Sequence, residues 1–362
     1  MSIYRAALIG CSRMGAFIDN EIPPERAHIL PLSHAAGYEA VPRTRLVALA
    51  DLRPDVLERA GQRYGVAKEH QYTDYREMIV RERPDIVSIA TQPEGRADII
   101  RFVVEHGVKA IFCEKPLAAS LAETMEIARL VKEHGVVFNL STGRRWAPGN
   151  EIIRSFVDDQ TLGPLQALIS YSVGTLFNMG SHYIDLLTYL NQDVPAAWVQ
   201  AHLAGGDSPF EGDIVRQDPN VFGVIMYENG VTAHLLATSR TAEFEAIFAR
   251  GAAASLNNGL DWELRVADEK AKWTWKRRPF PPVAPRSGTK TIIEEIVHAL
   301  DTGAPTRGNV DVALQTGQIT FGMLESIRRG GARVELPLAS SPLRLERRME
   351  PRQPKYERDP GP

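Results

Sequence analysis

The chain has 362 residues, enough for two domains with a sizeable core in each, and this excludes a single small module. Lysine and arginine number 42 against 45 aspartate and glutamate, a formal net charge of −3, with 24% charged and 44% hydrophobic residues; that balance excludes a disordered chain and a broad nucleic-acid footprint. Cys11 and Cys113 cannot build a disulfide framework, the chain starts straight into a strand-like run, and no span approaches ~20 apolar residues, so a cytoplasmic protein without a membrane partner is expected.

Short apolar runs at 3–9, 46–50, 86–90, 110–113 and 136–140 have strand length. Between them, 55–64, 97–105 and 121–134 carry apolar residues at three- and four-residue spacing and are followed by Gly65, Gly107 and Gly135, which suit helix ends. Strand and helix in alternation predict an α/β doubly wound parallel sheet. After about Pro148 the pattern shifts to longer alternating segments at 165–173, 199–203 and 221–227, the last joined to 231–237 by the hairpin turn Asn229-Gly230. Helices are predicted at 292–300 and 312–327, the second ending at Gly330-Gly331, and the tail is rich in proline and arginine. The expected division is 1–145, a dinucleotide-binding domain; 146–338, an α+β domain with a largely antiparallel open sheet; and 339–362, a tail that hangs free or lies on another surface.

Directly after the first run stands Gly10-Cys11-Ser12-Arg13-Met14-Gly15. A glycine at a strand end allows a tight turn, and the small Ser12 lets backbone N–H groups approach a pyrophosphate at a helix N-terminus. The alternative is a plain strand-to-helix turn. An acidic residue is expected ~20 positions later to meet the adenosine ribose. Asp51 ends the second run but stands further along, which is explained if 17–32, with three prolines, is an insertion and helix resumes near His34. A carboxylate here repels a 2′-phosphate, so NAD is favoured over NADP, a preference tempered by Arg53; helix capping before Pro54 is the other role open to Asp51.

Four further segments carry a resemblance: Ala90-Thr91-Gln92-Pro93, Glu114-Lys115-Pro116, Arg144-Arg145-Trp146-Ala147-Pro148 and Gly180-Ser181-His182-Tyr183-Ile184-Asp185. Together, in order and spacing, the chain resembles the Gfo/Idh/MocA oxidoreductases, the glucose-fructose oxidoreductase and inositol dehydrogenase family. The resemblance implies an N-terminal Rossmann domain and a C-terminal open sheet facing the nicotinamide. It also implies a homodimer or homotetramer built through that sheet, and a sugar or polyol substrate. Cofactor contacts are expected from Gly10, Ser12, Arg13, Met14, Gly15, Asp51, Arg53, Thr91, Pro93, Glu114 and Lys115. The family's catalytic lysine and histidine map to Lys115 and His182; the aspartate four residues before the histidine is replaced by Asn178, which can bond a hydroxyl but cannot take its proton.

Hydride exchange at a secondary alcohol needs a group for the hydroxyl proton and a donor to the oxygen. His182 suits the first, and Lys115 the second as a positive charge beside a developing alkoxide. Asp185, three residues after His182, shares its helix face and is expected to hold the imidazole or meet substrate. Arg145, Trp146 and Asn178 are expected in the substrate pocket, where a sugar needs planar donors and an aromatic face. Arg96 reads as a solvated helix-start residue, and Trp273 and Trp275 as one face of a strand in a core or subunit interface. No zinc spacing is present, and no metal is needed. Two rival readings stay open: an enzyme using bound NAD transiently for elimination or glycosidic cleavage, and an NAD-binding regulator that has lost its chemistry.

Overall fold

The computed structural model describes every residue except 1, 172–173, 241, 269, 271–272, 348–352 and 358–362. Six parallel strands, β1 (Tyr4–Ile9), β2 (Thr44–Ala50), β3 (Gln71–Tyr72), β4 (Ile86–Ile89), β5 (Ala110–Cys113) and β6 (Val137–Leu140), lie in the order 3-2-1-4-5-6. Every residue of β4 and β5 is buried, as continuous apolar runs in a sheet covered on both faces require. The crossovers are α1 (His34–Ala40), α2 (Pro54–Tyr64), α3 (Tyr75–Glu82), α4 (Arg96–Glu105) and α5 (Leu121–Glu133). Local chemistry sets their starts. At α5, Ser120 Oγ accepts the Glu123 N–H at 3.2 Å, while Glu123 reaches back to the Ala119 N–H at 3.1 Å.

The 17–32 segment forms two short 3₁₀ turns, Ile18–Glu21 and Pro24–Ile29, before α1. Asp19 closes it by accepting the Leu32 and Ser33 N–H groups at 2.6 and 3.1 Å, and Ser33 in turn caps α1.

The second half begins with α6 (Pro148–Asp158), β7 (Leu165–Ser170) and α7 (Ser181–Leu190). It continues through β8 (Ala196–Leu203), β9 (Phe210–Glu211), β10 (Ile214–Val215), β11 (Val221–Tyr227), β12 (Thr232–Leu235), β13 (Phe244–Phe248), β14 (Gly251–Leu256), β15 (Asp261–Ala267) and β16 (Trp275–Arg278). It ends with α8 (Gly288–Thr302), α9 (Val310–Arg328), β17 (Val334–Glu335) and β18 (Arg344–Leu345). Nine of these strands form one sheet in the order 16-15-14-13-7-12-11-8-17, antiparallel except where β12 runs beside β7. The hairpin β11–β12 turns at Asn229-Gly230, with Gly230 at φ +84°. Of the segment expected at 165–173, positions 172–173 lie outside the described residues.

Two features depart from expectation, and a third settles an open one. Trp273 and Trp275 do not share a buried strand face: Trp273 precedes β16 at φ +69° and is 90% exposed, and Trp275 stands exposed on the edge strand. Helix α8, distant in sequence from the first domain, fills one face of its sheet, where Ile292, Ile293 and Ile296 pack with Ala6, Tyr38, Phe112 and Trp146. Of the two courses open to the tail, its described residues take the second and lie on the rest of the protein. β18 pairs with β10, Leu343 and Leu345 are fully buried, Arg344 pairs with Glu123, and the Tyr356 ring meets Phe17 edge-on at 4.9 Å.

Candidate active site

The turn after β1 is sterically committed to glycine. A Cβ on Gly10, at φ +90°, would lie 2.9 Å from the Ala90 backbone, and one on Gly15 would lie 1.9 Å from the Gly10 carbonyl oxygen. Cys11 N–H donates to Asp51 Oδ2 at 2.7 Å and Arg53 N–H to Asp51 Oδ1 at 2.9 Å, so the carboxylate at the end of β2 is locked against the turn. The Arg53 guanidinium reaches Ser12 Oγ at 3.0 Å. Arg13 turns instead to Glu21 of the 17–32 segment at 2.7 Å. Glycine turn, carboxylate and guanidinium at the carboxyl edge of a parallel sheet form a donor set that fits a dinucleotide, with phosphate at the turn and ribose at Asp51.

Arg96 corrects the sequence expectation. It is 1% exposed, and its guanidinium donates to the carbonyls of Thr91, Glu114 and Pro116, tying the loop after β4 to the loop that carries Lys115. Helix position made it look solvated, whereas three convergent backbone acceptors from other loops draw it inward.

Glu114, 5% exposed, accepts from His34 Nε2 at 3.2 Å; His34 Nδ1 meets Ser88 Oγ at 3.0 Å, and Ser88 meets Tyr38 Oη at 2.8 Å. The His34 imidazole thus bridges the Ser88 hydroxyl and the Glu114 carboxylate in one buried chain. Burial would push the Glu114 carboxyl up, but His34, Lys115 and Ser141 hold it down at about 2. The carboxylate beside Lys115 is therefore ionised and already bonded.

Lys115 Nζ donates to Asn178 Oδ1 at 2.9 Å and to the Asn178 carbonyl at 3.1 Å. Burial lowers its pKa, Glu114 and Asp218 oppose that, and Arg96 and Arg347 reinforce it. Asn178 lies in a wide π-type turn, Leu176–Gly180, that runs into α7, and His182 follows in the first turn of that helix. His182 Nδ1 is buried with no hydrogen-bond partner among the described residues. Burial, with the nearby Lys115 and Arg144 cations, holds the His182 pKa well below 6.5, so the imidazole is neutral at physiological pH.

Lys115, Asn178 and His182 are thus brought together. Asp185, Arg145 and Trp146 are taken into the interior. Arg145 and Asp185 are both 0% exposed and pair at 2.8 Å; Arg145 also pairs with Asp193 at 2.7 Å, and Trp146 Nε1 donates to Glu295 at 2.7 Å. Their side chains hold the link between domains together and do not open toward Lys115. Sequence reasoning missed His34, Asp218 and the tail residue Arg347, which pairs with Glu94 at 3.1 Å and meets Gln92 at 3.0 Å beside Thr91. None belongs to a local motif. Among the described residues no group of three or more His, Cys, Asp or Glu is placed to hold a metal ion, and no helix is long and apolar enough to cross a membrane.

A doubly wound sheet with this turn, joined to an open sheet that places a lysine against an asparagine and a histidine, defines a two-domain Rossmann-type oxidoreductase. Residues 5–142 match the model of an oxidoreductase family with an NAD-binding Rossmann fold. The chain is 25% identical over 304 residues to D-apiose dehydrogenase of Paraburkholderia graminis, covering 78% of this chain and 74% of that protein. It is 24% identical over 327 residues to levoglucosan dehydrogenase of Pseudarthrobacter phenanthrenivorans, covering 75% and 79%. Its fold matches a levoglucosan dehydrogenase complexed with NADH and L-sorbose, with TM-score 0.75 and 20% identity over 93% of this chain and all of that one. It also matches an aldose-aldose oxidoreductase of Caulobacter crescentus complexed with glycerol, with TM-score 0.74 and 18% identity over 92% of this chain and 100% of that one. Over residues 5–142 the chain thus matches the NAD-binding domain of the Gfo/Idh/MocA oxidoreductase family.

Proposed function

We propose that this protein exchanges a hydride between NAD(H) and a hydroxyl or keto carbon of a sugar, sugar derivative or cyclitol. The observation that carries the reading is the convergence of Lys115 and His182 on the Asn178 turn at the carboxyl edge of the parallel sheet. The cofactor, when bound, accepts or supplies the hydride. Gly10, Ser12, Gly15, Asp51, Arg53 and Thr91 hold it. In the oxidative direction His182, neutral and with its Nδ1 unpartnered, takes the hydroxyl proton. Lys115, protonated, donates to the same oxygen and stabilises the negative charge that develops on it. Asn178 orients the ammonium and takes no proton. Arg96 fixes the backbone behind Lys115, so little reorganisation is needed as charge develops.

NAD is preferred over NADP because a carboxylate at Asp51 repels a 2′-phosphate. The open sheet supports a homodimer or homotetramer: Phe222 is exposed on β11, with Leu236 just beyond β12. The test is calorimetric titration with NADH and NADPH followed by a carbohydrate screen. NADH binds more tightly, and Lys115→Ala loses at least 100-fold in turnover with NADH affinity kept. Full activity in that variant overturns the reading.

A further inference from the structure

Position 178 holds a neutral amide where the resemblance leads one to expect a carboxylate, and the ammonium of Lys115 is bonded to it. The half-buried ammonium bonds only neutral oxygens there, so a negative charge close by favours its protonated form. We propose that Asp218, in the segment between β10 and β11, supplies the charge that position 178 lacks and sets the Asn178 turn against Lys115; the proposal rests on the hydride-exchange reading above. Asp218 is a positioning residue, because it acts through Asn178 and Lys115.

The geometry is a two-sided grip on one residue. Asp218 Oδ1 accepts the Phe177 N–H at 2.7 Å, and Oδ2 accepts the Asn178 N–H at 3.0 Å. From the other side, Lys115 takes both the carbonyl and the side-chain oxygen of Asn178. The carboxylate therefore polarises the same residue whose oxygens receive the ammonium.

Glu114, on the lysine's own loop, is the other carboxylate whose charge raises the Lys115 pKa, but its side chain turns to His34 and makes no bond to the Asn178 turn. Arg96 from α4 and Arg347 from the tail are cations, and Glu94 is paired with Arg347. On the α7 side His182 is neutral, and Arg144 behind it is another cation. Asp218 is the further carboxylate whose charge acts on Lys115. Burial raises its own pKa, while the two N–H groups, Thr175 and Arg347 counter that rise.

Capping of the turn into α7 would give the same hydrogen bonds, so the test must read charge. The rate of Lys115 acetylation by acetic anhydride, followed by peptide mass spectrometry across a pH series, reports the Lys115 proton without substrate or cofactor. In Asp218→Asn, which keeps a side-chain oxygen acceptor, the midpoint falls by about one pH unit, a 10-fold loss of proton affinity. In the double variant Asn178→Asp/Asp218→Asn the midpoint returns, and turnover lost in the single variant recovers with it. A purely capping role predicts a lower melting temperature with the midpoint unmoved, and that result overturns the proposal, as does a double variant that recovers neither property. Should Asp218→Asn fail to fold, Asn178→Asp alone decides: its added carboxylate raises the midpoint if charge at this place governs Lys115, and an unchanged midpoint overturns the idea. Failure of the hydride-exchange reading looks different, since NADH binding or sugar turnover would then be absent from the wild type while the Lys115 titration stays measurable.

Discussion

Replacing Arg145 with methionine separates a substrate group from a structural one. Arg145 is 0% exposed; its Nε donates to Asp185 Oδ1 at 2.8 Å, its Nη2 pairs with Asp193 at 2.7 Å, and its guanidinium lies 5.2 Å from the Tyr189 ring centroid. Methionine fills much of the volume but leaves Asp185, itself 0% exposed, as an uncompensated buried carboxylate. Breaking a buried pair from one side costs about 3–5 kcal/mol. With an unfolding entropy of roughly 2.1 cal/mol/K per residue over 362 residues, that is a fall in melting temperature of about 4–7 °C if the chain melts as one unit. Scanning calorimetry reads the fall, and steady-state kinetics below the transition should show KM for the sugar within about twofold of wild type. The double variant Arg145→Met/Asp185→Leu should recover most of the loss, because an apolar pair can replace a buried ion pair at little cost. An unchanged melting temperature with a large rise in KM would refute this reasoning and return Arg145 to the substrate pocket.

Other outcomes follow from the same geometry. Gly15→Ala places a methyl against the Gly10 carbonyl, so NADH binding should fall at least 10-fold by titration, with the fold kept by circular dichroism. Glu114 has a depressed pKa, so its contribution is fully present above its ordinary pKa of 4.5 and fades as pH falls toward about 2. Denaturant melts should therefore show the stability gap between wild type and Glu114→Gln shrinking from pH 6 to pH 3; a constant gap would contradict the ionised-carboxylate account. Removing residues 343–362 exposes the surfaces that Leu343 and Leu345 cover and should cost about 3–6 kcal/mol, at 1.5–3 for each buried leucine. A truncated chain as stable as the full one would show that β18 does not hold β10 in solution. In the oxidative direction, kcat should fall on the alkaline side at a pH below the ordinary lysine range, because Lys115 must keep its proton while burial lowers its pKa.

Much of the first domain was legible because its determinants are local. Five of the six strands appear as apolar runs, the glycine turn follows β1 directly, and Lys115 stands at the first residues past β5 in an ordered loop. β3 was not legible, since Gln71 and Tyr72 are too short a run to show a period. The sequence placed Lys115, Asn178 and His182 in the site, and the structure brings them together. It misjudged the surroundings: Arg96 stands at a helix start, where arginine is usually solvated, and Asp185 and Arg145 lie in segments that resemble pocket-lining ones.

What the sequence by itself determined is therefore set by backbone period and turn chemistry, which act within a few residues: a doubly wound sheet, a dinucleotide turn and a lysine loop. Only the tertiary structure decided that α8 covers the first sheet, that His34 bonds Glu114 across 80 positions, that Asp218 reaches back 40 to Asn178, and that Arg347 reaches back 253 to Glu94. The reason is physical. A buried charge or N–H must find a partner, but its own neighbours in sequence do not say which distant loop the packing will bring within three ångströms.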